Sequence, residues 1–232
     1  MASAKNILVG ASPLFLSALD STSAGYKDDM EPGSTDGVAF VVKNAAATPP
    51  VLKTASYADT LNAVGNQAKW RNVGFTNNGL QITYNPSYGS VTVDQLLDSA
   101  KLFKESMEVM IATELAEGTL ENVLAVFGQA GSAVTTGTAV AENKTDTIGL
   151  EAGALGIAPT ERQLVAVGQA PTESATKTER VYYARRVLSV QQSQFSLSRN
   201  AATTFPVTFR LLPVEAKQGR EYGIIVDRVL VA

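Results

Sequence analysis

The feature that most constrains this chain is the dipeptide Asn78-Gly79, set with Asn77 between two half-apolar segments, Trp70–Thr76 and Leu80–Tyr84. Asn-Gly between such segments is the strongest short signal for a tight hairpin. The turn needs positive φ at both central residues, which Asn tolerates and Gly adopts freely. In the second arm Leu80, Ile82 and Tyr84 alternate with Gln81 and Thr83, so one face is buried and the other wet. A Pro-Ser-Tyr-Gly bend at 86–89 and a further β-prone piece, Val91-Thr92-Val93-Asp94-Gln95, come next. Residues 69–98 are thus predicted as a hairpin with an extension, and an all-β domain is built outward from them.

Upstream, residues 7–19 (ILVGASPLFLSAL) follow Lys5 and could pass for the apolar region of a signal peptide. Pro13 breaks the run, and it reads as two buried β segments that stay with the protein. No apolar run reaches the roughly 18–20 residues that span a bilayer, so no membrane anchor is expected. Asp20–Gly37 is polar and rich in breakers, Val38–Lys43 is a possible strand, and Asn44–Lys69 lacks sustained alternation. A loop as long as 20–69 is unusual inside a compact domain and usually functional.

Residues 99–117 fit two templates. As a strand, Phe103, Met107, Val109, Ile111 and Leu115 share one face, with Lys104, Ser106, Glu108 and Glu114 on the other. As a helix, Phe103, Met107, Met110, Ile111 and Leu115 form an equally good stripe, and the Lys, Glu, Met, Leu and Ala content tilts the reading to helix. After Gly118, Thr119 can cap a short helix whose apolar side is Leu120, Val123, Leu124 and Phe127, with Glu121 in its first turn and Gly128 as its stop.

Residues 129–160 are rich in Gly, Ala and Thr and read as an extended insertion; the glycosylation triplet Asn143-Lys144-Thr145 within it is a chance match. Strands return at Arg162–Val167, Arg180–Val190, Gln194–Ser198, Phe205–Leu211 and Tyr222–Val231. Eight or more strands with one short helix and two long loops make a mainly β single domain over 1–232, a sandwich or a barrel.

The 232 residues contain no cysteine and no histidine. That excludes disulfides, thiol nucleophiles, Ser-His-Asp chemistry and metal sites built on thiolate or imidazole within the chain. A formal net charge of −3 argues against a strongly basic nucleic-acid binder. The remaining candidates are weak. The glycines of 128–137 follow a helix instead of preceding one and lack the Gly-Lys-Ser/Thr ending of a phosphate loop. Asp28, Asp29, Glu31 and Asp36 miss the EF-hand spacing and read as a solvated acidic loop. Glu105, Glu108, Glu114 and Glu117 supply carboxylates of the kind a glycosidase uses, but nothing sets two of them across a cleft. Arg185 and Arg186, inside a strand, are expected to be ion-paired. No catalytic residue, cofactor site or metal site is assigned.

Taken together, the Trp70–Thr76 arm, the Asn-Gly turn, the Leu80–Tyr84 arm and Val93-Asp94-Gln95 resemble the major tail tube proteins of long, non-contractile-tailed bacteriophages, especially those of actinobacterial hosts. So do the Met107–Leu115 segment, Thr119-Leu120-Glu121-Asn122 opening a short helix, Phe205–Leu211 and Tyr222–Asp227. The resemblance spans most of the chain except 129–160. It implies a tail-tube-type β-sandwich with one flanking helix, in which 102–116 is a strand and six copies close into a ring whose inner strands merge into one barrel. It also implies that rings stack into a helical tube in the virion, assembled in the host cytoplasm, with a tape-measure protein and tail terminator and baseplate proteins as partners. Double-stranded DNA would pass through transiently, and neither enzyme activity nor a cofactor is implied.

Within that picture residues 20–69 become an arm to a neighbouring ring. The polar face of 102–116 (Ser106, Glu108, Glu114) either lines the channel, where an acidic or neutral wall lets DNA slide, or meets a neighbouring subunit. Two other classes fit a histidine-free β domain: another virion sandwich, such as a capsid-decorating or carbohydrate-binding adhesin protein, and a glycosidase built on carboxylates.

Overall fold

The computed structural model describes residues 12–40, 42–43, 52–53, 56–92, 94, 98–131, 134–136, 145–150, 152, 156, 158–171, 177–191, 193–197, 199–200 and 202–230. The elements, in order, are β1 (Leu14–Ser17), β2 (Val42–Lys43), β3 (Leu52–Lys53), α1 (Tyr57–Asn62), β4 (Trp70–Asn72), β5 (Thr76–Val91), β6 (Lys101–Leu115), α2 (Leu120–Val126), β7 (Val134–Thr136), β8 (Asp146–Ile148), β9 (Arg162–Gln169), β10 (Lys177–Ser189), β11 (Phe205–Leu211) and β12 (Gly223–Leu230). The protein is mainly β, and its strands pair antiparallel throughout.

One sheet of eight strands dominates, in the order β4-β1-β9-β10-β11-β6-β5, with β12 also on β10. β10 is where it divides. Its Lys177–Ala184 part pairs with β12 and its Val187–Ser189 end pairs with β11, both on the side away from β9. The register against β9 shifts between Ala184 and Val187, at the same place.

The central strands are buried on both faces. Leu14 and Leu16 of β1 and Leu164 and Ala166 of β9 belong to a first core. There they join Ile111 and Leu115 of β6, Phe205, Val207, Phe209 and Leu211 of β11, and Ala125 and Val126 of α2. The alternate residues Phe15, Val165, Val167, Val181 and Tyr183 enter a second core with Trp70, with Tyr57 and Leu61 of α1, and with Met30 and Val38 of the 20–40 segment. The result is a sandwich. The central layer β1-β9-β10 is covered on one side by β11-β6-β5 and α2, and on the other by α1 and residues 20–40. Burial on both faces explains the continuous apolar stretches 164–167 in β9 and 181–184 in β10.

The Asn-Gly hairpin is not formed. Asn78 and Gly79 do take positive φ, 60° and 67°, but they do so inside β5. Asn77 lies opposite Glu114 and Gln81 opposite Ala112, so the intervening residues bulge against Thr113. The Thr113 hydroxyl donates to the Gly79 carbonyl at 2.7 Å and ties the bulge down. A bulge meets the same conformational demand as a primed turn without reversing the chain. The expected bend at Pro86–Gly89 is likewise continuous strand, and the reversal comes between Val91 and Lys101. Val93 and Gln95 lie outside the described residues.

Residues 101–115 are strand, against their helical propensity, because ladders on both sides outweigh a few tenths of a kcal/mol per residue. α2 forms where expected, with the Thr119 side chain accepting from Asn122 N at 3.3 Å and Gly128 at φ 66°, but it buries Asn122, Leu124, Ala125 and Val126, while Leu120 and Phe127 of the expected apolar side are exposed. α1 was not expected: its local signals are Ser56 at the N-cap and Asp59 in the first turn, and the Ser56 side chain makes no cap bond. The carboxylate of Glu179, in β10, accepts from Tyr57 N at 2.9 Å and from the Ser56 hydroxyl at 3.0 Å, so a distant strand caps this helix.

Of the possible strand 38–43, Val42–Lys43 is strand, paired with Leu52–Lys53 in a separate ribbon, Val38–Phe40 is not, and Val41 lies outside the described residues. The expected strand at 194–198 is unpaired over Gln194–Leu197, and Ser198 lies outside the described residues. So does the first of the two expected N-terminal strands; the second is β1. In 129–160, β7 and β8 pair only with each other, and most of the remainder lies outside the described residues.

The acidic loop is not simply solvated. Arg185 is fully buried and forms ion pairs with both Asp29 and Glu31. Lys217 reaches Asp29 at 2.7 Å and Arg220 reaches Glu31 at 3.0 Å. A guanidinium removed from water requires such compensation, which draws the 20–40 segment onto the sheet. Arg186 pairs with Glu161 at 2.6 Å, as expected of a strand arginine.

Candidate functional site

β5, β6 and β11 form a layer with two unlike faces. On β6, Val109, Ile111, Thr113 and Leu115 are buried against the first core, while Glu108, Met110, Ala112 and Glu114 are only half-buried on the other side. Residues opposite each other in an antiparallel pair share a face. The second face therefore carries Asn77, Gln81, Thr83, Asn85 and Ser87 from β5, and Pro206, Thr208 and Arg210 from β11. It is polar and broad, and no other described element packs over it.

The three residues singled out for a channel wall, Ser106, Glu108 and Glu114, all lie on this face. Ser106 is exposed opposite Ser87. Glu108 stands 3.5 Å from Arg210 Nη1, and Glu114 accepts from Asn77 Nδ2 at 3.2 Å. Lys104 does not join them. Ser87 pairs with Ser106 and Tyr88 with Lys104, so Glu105 is an extra residue in β6 and the alternation reverses beyond it. Lys104 turns to the apolar side, with its ammonium 5.8 Å from the centre of the Tyr84 ring. Strict alternation could not have located this bulge.

From Lys101 to Ser106 every residue of β6 is exposed, so the β5–β6 hairpin projects about 20 Å beyond the sandwich at ~3.4 Å per residue. Its apolar side is bare. Tyr84 is 65% exposed, Tyr88 59% and Leu102 66%. At its base, Ile82 and Tyr84 face Tyr182, Tyr222, Ile224 and Ile225 across an open apolar groove of about 250 Å³.

Among the described residues no group of three or more acidic side chains could hold a metal ion. Glu117 accepts from Phe75 N at 3.0 Å, so the carboxylates of 105–117 are spread along a strand and its end. The buried acids are engaged structurally. Asp20 is buried, which raises a carboxyl pKa, yet hydrogen bonds from Thr22, Gly131 N and Ser23 and the charge of Arg162 hold it below its ordinary value. Asp29 is lowered in the same way: burial is outweighed by Lys217, Arg185 and Tyr183. No described helix is long and apolar enough to cross a membrane.

No family model matches the chain, and no curated protein matches it.

Proposed function

We propose that this chain is a structural protein of a virion tail. Copies close into hexameric rings, the rings stack into a tube, and the polar face of β5-β6-β11 lines the conduit through which double-stranded DNA reaches the host. The observation that carries this reading is the 16-residue strand β5, which pairs on one side only among the described residues and belongs to a layer with an unoccupied polar face. A long bare edge invites uncontrolled pairing unless a fixed partner covers it. Ring closure supplies that partner, and a head-to-tail contact between rings propagates a tube.

The face suits passage of DNA because Ser106, Glu108 and Glu114 offer hydroxyl and carboxylate groups where a basic wall would hold phosphate. The described ends of 20–69 pack on the chain's own sheet, so contact with a neighbouring ring falls to the β2–β3 ribbon between them. A tape-measure protein inside the tube, and terminator and baseplate proteins at its ends, complete the assembly. The role is mechanical and requires no catalytic group.

Negative-stain microscopy of the purified protein over a range of concentrations tests the reading. Stacked rings or hollow filaments are expected. Monomers at every concentration would overturn it, and small closed oligomers that never stack would favour a capsid-decorating or adhesin role.

A further inference from the structure

The ladder between β10 and β11 ends where Ser189 lies opposite Phe209. The chain does not leave the border there. Val190 N donates to the Thr208 carbonyl at 3.2 Å, and the Thr203 hydroxyl donates to the Ser196 carbonyl at 3.4 Å. Ser193–Leu197 thus continues along β11 in the direction begun by β10, without strand pairing of its own. Phe195 anchors it, with its ring centroid 4.7 Å from that of Phe205 and 6.3 Å from that of Phe127. Phe195 is half-buried on the cored side, Gln194 and Ser196 are exposed, and Leu197 is 85% exposed.

The opposite margin of the layer is β5, with the same two-sided character. Gln81, Thr83 and Asn85 lie on the polar face, and Ile82 and Tyr84 lie on the apolar side, 43% and 65% exposed.

We propose that Ser193–Leu197 is a strand completed by assembly, and that its partner is β5 of a second copy of this chain. The inference rests on the ring reading above and assigns the two margins that meet. Directions agree: β5 opposes β6, β6 opposes β11, and β11 opposes the chain leaving β10. A neighbour's β5 therefore joins Ser193–Leu197 antiparallel, and a ring closes with no parallel joint. Faces agree as well. The joint sets Leu197 against Ile82 and Tyr84 on the apolar side and continues the polar face through Gln194 and Ser196. Backbone groups along β5 gain the partners they lack in one chain. A second copy fits because each margin presents what the other is missing.

The chain contains no cysteine, so engineered pairs report this joint without background. Ser196→Cys is combined in turn with Gln81→Cys, Thr83→Cys and Asn85→Cys, assembled, oxidised, and run on a non-reducing gel beside negative-stain images. At least one pair is expected to give a covalent ladder up to the size of a ring, while each single variant stops at dimer. Rings without a ladder from any pair would overturn the margin assignment and leave the ring reading standing; no rings from the parent chain would overturn both. Independently, Leu197→Asp should abolish rings while leaving the circular dichroism of the monomer unchanged, and rings unaffected by it would overturn the assignment.

Discussion

The central layer β1-β9-β10 and the outer layer β5-β6-β11 use the same antiparallel pairing but reach different states of completion. Leu164, Ala166 and Phe15 have almost no exposure, and the central layer has apolar cover on both faces. The outer layer is covered on one face near its base and on neither along the projecting hairpin. Strand length is therefore no measure of burial. The two longest strands, β5 and β6, carry the exposed hairpin. On the proposed reading, the first layer holds the chain together and the second presents it to other copies.

The comparison breaks most sharply at Arg185. Arg185→Ala leaves Asp29 and Glu31 without their buried partner and should cost about 3–5 kcal/mol in chemical denaturation. A loss below about 1 kcal/mol would mean that the 20–40 segment does not clamp the central layer.

The same region carries the acid sensitivity. Asp20 and Asp29 have folded pKa values below the ordinary 3.8. Their contribution to stability is thus fully present above that value and is lost as pH falls through the lower folded values. Denaturation midpoints should stay level from about pH 5 to pH 8, where no histidine titrates, and fall below about pH 4. Asp20→Asn should flatten that fall, and an unchanged acid profile would count against the assignment.

Thr119→Ala removes the cap of α2 and should cost about 1 kcal/mol. Ile82→Ser, in the outer layer, should change monomer stability by no more than ~0.5–1 kcal/mol, since Ile82 is 43% exposed. It should nevertheless weaken ring formation, read by sedimentation. A large loss of monomer stability would show that β5 is already part of the core.

The smallest effect on folding is expected from Glu108→Lys with Glu114→Lys, at half-buried positions on the open face, where the Glu108–Arg210 ion pair and the Glu114–Asn77 hydrogen bond contribute about 0–1 kcal/mol. Tubes should form and deliver DNA more slowly; unchanged delivery would remove this face from the channel.

The elements were not equally legible in the sequence. β9 and β10 of the central layer and β11 of the outer one stood out because their apolar runs and alternation reflect local burial. The Thr119 cap and Gly128 stop likewise act within one turn of α2. By contrast, Asn78-Gly79 specified positive φ but not whether a turn or a bulge would use it; that was decided by pairing with Thr113 on β6. α1 was missed because it is six residues long and Glu179, in another strand, accepts its Tyr57 N–H where Ser56 makes no cap bond, and the Glu105 bulge because strict alternation assumes a regular ladder. For the candidate site, Ser106, Glu108 and Glu114 share the face that their spacing implied, while Lys104 was misplaced by that bulge.

Hydrogen–deuterium exchange on the isolated and the assembled protein compares the two layers directly. Amides of β9 and β10 should be protected in both states, whereas those of β5 should exchange quickly in the isolated chain and become protected on assembly. If β5 is as protected as β10 in the lone chain, or gains nothing when copies associate, the outer layer is not completed by its neighbours and the account is contradicted.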